Sequence, residues 1–154
     1  MSESAGSQPA IEVLIARLPH AEGLPVPSPA TAGSAGYDLA SAEEGDLGPG
    51  ERRLFRTGFS IAVPDGFECQ LRPRSGLALR HGVTLPNTAA TIDSDYRGEL
   101  MVALVNLGIE PFRVTRGMRI AQMIVARVER VRFRPVDALP PSARGTGGFG
   151  SSGQ

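Results

Sequence analysis

Phe59-Ser-Ile-Ala-Val-Pro-Asp-Gly-Phe-Glu-Cys-Gln-Leu71 alternates apolar and polar residues on both sides of a Pro-Asp-Gly turn. Phe59, Ile61 and Val63 make one apolar row, and Phe67, Cys69 and Leu71 make a second. A period of two puts each row on one face of a β-strand. Pro64 presets φ and Gly66 tolerates positive φ, so the stretch predicts two strands joined as a hairpin. Working outward, Ile11-Glu-Val-Leu-Ile15 reads as a first strand. Leu100 to Val105 and Ile120 to Val128 are more continuous apolar runs, as expected of strands buried on both faces. Asn106-Leu-Gly-Ile-Glu-Pro111 and Arg116-Gly117 supply turns between them. With 19 Gly and 13 Pro spread through the chain, no long helix is expected. Only Ser75-Gly-Leu-Ala-Leu-Arg-His81, followed by Gly82, reads as a short one. The fold class is all-β, a compact sandwich or barrel.

The 154 residues suffice for one domain with a single core. Sixteen basic and sixteen acidic side chains cancel, so no broad field favours nucleic acid or an anionic membrane. All the cations are arginine, a choice that follows genome composition more often than phosphate recognition. No apolar run approaches the roughly 20 residues of a membrane span, and the N-terminus lacks a signal-peptide pattern. A cytoplasmic protein is expected. Cys69 is the single cysteine. It has no partner for an internal disulfide and no neighbouring ligands for a metal, and it reads as an inward strand residue. Residues 1–10 read as a loose, disordered arm, 11–139 as the β domain, and 140–154 as a mobile tail.

Five segments concentrate polar chemistry. Asn87-Thr-Ala-Ala-Thr-Ile-Asp-Ser-Asp-Tyr-Arg-Gly-Glu99 crowds an amide, carboxylates, a tyrosine and an arginine between strands. An Asn side chain can match the imide edge of a uracil-like base, a Tyr ring can pack on a sugar, and a carboxylate can activate water. The bland alternative is a polar hairpin held by an ion pair of Asp93 or Asp95 with Arg97. Arg72-Pro-Arg-Ser-Gly-Leu-Ala78 puts Arg74 and Ser75 at the start of the expected helix, where anions bind or where Ser75 simply caps. Gln122 lies within a buried run and must find a partner. Asp38, in Ala35-Gly-Tyr-Asp-Leu39, can hold a hydrated cation or end a turn. Arg144-Gly-Thr-Gly-Gly-Phe-Gly-Ser-Ser-Gly153 offers a guanidinium fork, a flat ring and free backbone amides for wrapping phosphate, unless it is only a glycine-serine tail.

Taken in order, Ala35-Gly-Tyr-Asp-Leu39, Arg74-Ser-Gly-Leu-Ala78, Thr91-Ile-Asp-Ser-Asp-Tyr-Arg-Gly-Glu99, Arg119-Ile-Ala-Gln-Met-Ile124 and Arg144-Gly-Thr-Gly-Gly-Phe-Gly-Ser151 resemble the trimeric dUTP pyrophosphatase (dUTPase) family. The resemblance runs from about Ala35 to Gly153. It implies a jelly-roll-like β-barrel and a homotrimer whose active sites each draw on all three chains. It further implies hydrolysis of dUTP to dUMP and pyrophosphate, which supplies dUMP for thymidylate synthesis and limits uracil in DNA.

By matching motif, Asp93 would activate the water that attacks the α-phosphorus. Asn87 and the backbone of Thr91, Ile92 and Asp93 would hold uracil and deoxyribose, Met101 would line the pocket, and Tyr96 would exclude ribose. Arg74, Ser75 and Gly76 would grip the phosphates, with Ser75 near the oxygen between the α and β groups. Gln122 would add a phosphate contact and Arg144 would bind the distal phosphates. Phe149 would stack over uracil, and Ser151 and Ser152 would cradle the γ end as the tail closes. Mg²⁺ would ride mainly on the triphosphate, with Asp38 reaching it through water and no direct protein ligand.

Ala90 departs from the family's usual glycine three residues before the aspartate. If that position needs positive φ, alanine adds strain of about 1 kcal/mol or more and shifts the uracil edge. Two other functions compete. A dCTP deaminase on the same fold would need a glutamate beside C4 and usually a second serine where Gly76 stands, and only Glu99 lies in the hairpin. A noncatalytic sensor would close on dUTP to engage a protein partner.

Overall fold

The computed structural model describes residues 10–148. In chain order the elements are β1 (Leu14–Arg17), β2 (Tyr37–Ala40), β3 (Gly45–Leu47), β4 (Arg52–Ala62), β5 (Phe67–Arg72), α1 (Ser75–His81), β6 (Val83–Thr84), β7 (Ala90–Ile92), β8 (Glu99–Asn106), β9 (Phe112–Val114) and β10 (Arg119–Arg127). A short 3₁₀ turn, Pro19–Ala21, follows β1. One sheet has the order β1-β4-β8-β6, a second β2-β10-β5-β7, and β3 and β9 form a two-stranded ribbon. Every pairing is antiparallel. The inward rows of the two large sheets meet in one core that includes Leu39, Phe55, Ile61, Leu71, Leu100, Val102, Leu104 and Ile120. This is the all-β sandwich expected from the strand pattern, with the jelly-roll-like form that the family resemblance implies.

The turn at Pro64-Asp65-Gly66 forms as expected, with the Phe67 amide donating to the Pro64 carbonyl at 3.2 Å and Gly66 at φ 82°. The hairpin does not form. β4 pairs with β1 and β8, whereas β5 pairs with β10 and β7, so the turn is an arch from one sheet to the other. Ile61 and Val63 share the core with Cys69 and Leu71 across the two sheets, with Phe67 packed against it, whereas Phe59 is buried in a separate cluster with Ala21, Leu24 and Ala42. The first strand is also displaced, to Leu14–Arg17. Val13 packs against the core and lines an apolar cavity of about 460 Å³ with Tyr37 and Met123, whereas Ile11, at the same cavity, is 46% exposed.

β8 and β10 are not buried on both faces in the single chain: Met101 on β8 is 38% exposed, and Ile124, Val125 and Ala126 on β10 are only half-buried. Their inward residues alternate with outward ones that the second layer does not reach. α1 forms over the expected residues, and Gly82, at φ 68°, ends it by donating to the Ala78 carbonyl at 3.0 Å. Cys69 is fully buried, and burial, helped by the neighbouring Glu68, pushes its thiol up to about 11. After Arg127 the chain leaves the sheet. Val131, Phe133 and Leu139 are 73%, 90% and 83% exposed.

A bulge in β4 shifts its register against β8 between Arg56 and Ser60. Gly58 sits there at φ 76°, where an added β-carbon would run into Ala21 of the 3₁₀ turn. Gly58→Ala is expected to cost about 2 kcal/mol or more from positive φ and overpacking together, seen as a lower urea midpoint at unchanged m.

Candidate active site

Opposite β2, strand β10 sets Gln122 against Asp38. The Gln122 amide donates to the Pro73 carbonyl at 3.0 Å, which is the partner that its burial demands and which ties the strand to the segment entering α1. Asp38 carries two ion pairs, with Arg74 Nε at 3.1 Å and Arg119 Nη1 at 3.2 Å. Arg74 also donates to the Arg119 carbonyl. These groups, with Ser75, Gly76 and Arg80, line a cavity of about 620 Å³. Three arginines face one aspartate there, so a chain of zero net charge concentrates positive potential in one hollow. Gly36 makes room for it, because an added β-carbon would strike the Gln122 side chain.

Arg119 and Arg80 were not singled out in the sequence. Residues 119 and 122 would point to opposite faces of a regular strand. The register shift between Arg119 and Ala121 resets that parity and brings both to the cavity. Ser75 does not cap α1: Arg74 occupies the cap position, without a side-chain cap bond, and Ser75 opens the first turn with an exposed side chain.

The Asn87–Glu99 segment lies elsewhere. β7 pairs with β5, placing Thr91 opposite Gln70 and Ile92 opposite Cys69, and β8 belongs to the other sheet, so this segment too crosses between sheets. Asn87 is exposed in the turn before β7. Thr91 and Asp93 line a groove of about 660 Å³ with Asp65, Glu68, Asp95 and Glu129, an acidic surface whose lining shares no residue with the arginine-rich cavity. Among the described residues neither Asp93 nor Asp95 forms an ion pair. Arg97 instead donates to the carbonyls of Ser94 at 2.6 Å and Tyr96 at 2.9 Å, so the polar-hairpin pairing is absent. Tyr96 is 39% exposed and its hydroxyl donates to the Glu99 carbonyl at 2.9 Å. Met101 faces outward on β8.

Ala90 pairs with Leu71 as an ordinary extended strand residue. The expected strain is therefore not present. Arg144 lies in an exposed turn and donates to the Gly147 carbonyl at 2.7 Å. Phe149, Ser151 and Ser152 lie outside the described residues, as do residues 1–9 of the expected N-terminal arm. No group of three or more His, Cys, Asp or Glu side chains stands ready for a metal among the described residues. Asp38 alone cannot chelate one, and an outer-sphere contact is the role that its geometry fits, since each carboxylate oxygen has a lone pair beyond its arginine bond. Among the described residues no helix is long and apolar enough to cross a membrane.

The dUTPase family model matches residues 22–153. The chain belongs to the dUTPase family. A deoxyuridine 5'-triphosphate nucleotidohydrolase of Rhizobium meliloti is 55% identical to this dUTPase family member over 143 residues, covering 90% of this chain and 89% of that protein. The same enzyme of Rhizobium etli is 53% identical over 141 residues, covering 89% and 90%. Among solved structures, the dUTPase of Staphylococcus bacteriophage 80alpha with dUPNHPP shares the fold at a TM-score of 0.85 and 24% identity, covering 93% of this chain and 99% of that one. A point mutant of the dUTPase from phage phi11 of S. aureus, described with a structural Mg(II) ion, does so at 0.76 and 20%, covering 84% and 99%. This dUTPase family chain is accordingly a hydrolase on a jelly-roll-like frame.

Because Ala90 is extended, glycine there relieves nothing and only widens the unfolded ensemble. Ala90→Gly is expected to destabilise the chain by about 0.5–1 kcal/mol, read from urea unfolding. A gain in stability would show that the position is strained after all.

Proposed function

We propose that this chain hydrolyses dUTP to dUMP and pyrophosphate at sites completed between the subunits of a homotrimer. The observation that carries the reading is the division of its motifs: arginines and Gln122 in one cavity, Thr91 and Asp93 on another surface, in a chain whose relatives are named deoxyuridine 5'-triphosphate nucleotidohydrolases. Within one chain, general base and phosphate grip do not meet. Neighbouring subunits supply the missing half, and the exposed apolar residues Val131, Phe133 and Leu139 are consistent with surfaces that another chain covers. The reading includes a cytoplasmic location, where nucleoside triphosphates are made and used.

In this mechanism Arg74, Ser75 and Gly76 hold the triphosphate. The second N–H of Gln122, free of the Pro73 bond, donates to a phosphate oxygen. Asn87 and the backbone of Thr91, Ile92 and Asp93 hold the uracil, Met101 lines the pocket, and the Tyr96 ring leaves no space for a 2'-hydroxyl. Asp93 orients a water and takes its proton as the water oxygen bonds to the α-phosphorus. The bond from that phosphorus to the α–β bridging oxygen breaks, and Ser75 stabilises the charge left on the pyrophosphate. Arg144 binds the distal phosphates, with Phe149 over the base and Ser151 and Ser152 at the γ end as the tail closes. Asp38 would hold Mg²⁺ through water, and the ion, carried on the triphosphate, would supply charge neutralisation.

Pyrophosphate release should be measured with magnesium for dUTP, dTTP, dCTP and UTP. Only dUTP should turn over, and Asp93→Asn should lower kcat by about 10²–10⁴-fold. Comparable turnover of dTTP, or an active Asp93→Asn enzyme, would remove the assignment; ammonia from dCTP would replace it with deamination. Sharing of sites has its own test. Arg74→Ala and Asp93→Asn chains, each inactive, should regain activity when refolded together, because some sites then combine an intact half from each. Mixtures as inactive as their components would show that each site belongs to one chain.

A further inference from the structure

Glu99, at the start of β8, is drawn into a cluster that the proposed chemistry does not use. Its side chain is 10% exposed. One carboxylate oxygen lies 2.6 Å from His20 Nε2 and accepts the Gly58 amide at 2.8 Å, while the other accepts Arg56 Nε at 3.0 Å. Arg56 Nη2 stands 3.3 Å from His20 Nδ1. A carboxylate only accepts and a guanidinium only donates, so the two partners fix the neutral tautomer: Nε2–H donates to Glu99 and Nδ1 accepts from Arg56. Burial would raise the Glu99 carboxyl, but the hydrogen bonds from His20, Gly58 and Arg56 outweigh it and hold the group below its ordinary value. The histidine is itself fixed, since Arg116 donates to the carbonyls of His20 at 3.2 Å and Glu22 at 2.7 Å.

What this cluster holds is the loop before β8. The Tyr96 hydroxyl bonds the Glu99 carbonyl, the Tyr96 amide bonds the Asp93 carbonyl at 3.1 Å, and Gly98 leaves the space into which the tyrosine ring folds, since its added β-carbon would lie 2.6 Å from Tyr96 Cζ. Glu99 is thus the fixed end of the loop that carries Tyr96. We infer that His20, Arg56 and Glu99 are positioning residues that clamp the Tyr96 ring and thereby set discrimination between deoxyribose and ribose nucleotides. The inference rests on the proposed role of Tyr96 at the sugar.

The variants His20→Leu, which removes both ring contacts, and His20→Gln, whose amide can donate to Glu99 and accept from Arg56, separate a clamp from general damage. Two readouts are taken on the full chain. The first is the ratio of kcat/KM for dUTP over UTP, expected to fall at least about tenfold in His20→Leu and to stay within about twofold in His20→Gln. The second needs no turnover. The chain has two tyrosines, Tyr37 and Tyr96, and no tryptophan, so in a Tyr37→Phe background tyrosine emission reports Tyr96 alone. Acrylamide quenching should rise in His20→Leu and not in His20→Gln. Unchanged quenching in a folded His20→Leu chain, or equal loss of both substrates, overturns the clamp; should His20→Leu not fold, increased quenching in His20→Gln does so. If quenching rises as expected but the parent chain treats dUTP and UTP alike, the clamp stands and the sugar-site reading of Tyr96 is what fails.

Discussion

The closure of two sheets over one apolar layer is the constraint on which every functional group here depends. Phe55, Leu71, Leu100, Val102 and Leu104 are fully or almost fully buried between them, each contributing on the order of 1.5–3 kcal/mol relative to exposure. None of the polar residues discussed stands in that layer's centre. Asp38, Arg74 and Gln122 are carried by β2, β10 and the segment leaving β5, while Asp93 and Tyr96 sit where the chain passes from β7 in one sheet to β8 in the other. Core packing fixes the strands, and the strands fix how far apart the two sets of chemical groups stand.

Much of this was legible in the residues, and what was not has a definite cause. α1 was readable because its start and stop are local: small helix-compatible residues run from Ser75 to a glycine that adopts φ 68°. The inward position of Cys69 followed from alternation alone. The partner of the Phe59–Val63 row did not, because a period of two tells which side chains share a face and says nothing about which sheet the strand joins. The role of Arg119 was hidden by a single bulge, which no strict period encodes. His20 and Glu99 lie 79 positions apart, and neither has a local pattern that names the other. For the candidate site, the motifs singled out residues such as Arg74 and Asp93, whereas their separation on the single chain emerged only from the strand order.

Charge is arranged with the same logic as shape. Equal numbers of acids and arginines give no net field, yet the cavity beside α1 gathers arginine and the groove beside β7 gathers carboxylate. A polyphosphate is attracted to the first and repelled by the second. Asp38 is paired with Arg74 and Arg119, whereas among the described residues Asp93 forms no ion pair.

The arch at Pro64–Gly66 bears on how the chain finds this structure. Among the described residues no strand pairs with the next one along the chain: β1 pairs with β4, β2 with β10, β3 with β9, and β4 with β8. Even the pairing of β5 with β7 must first loop over α1 and β6. No hairpin can nucleate locally and offset its own loop-closure entropy early, so the sheets are set by encounters between distant segments. Such non-local pairing slows folding relative to a chain of the same length built from helices or hairpins.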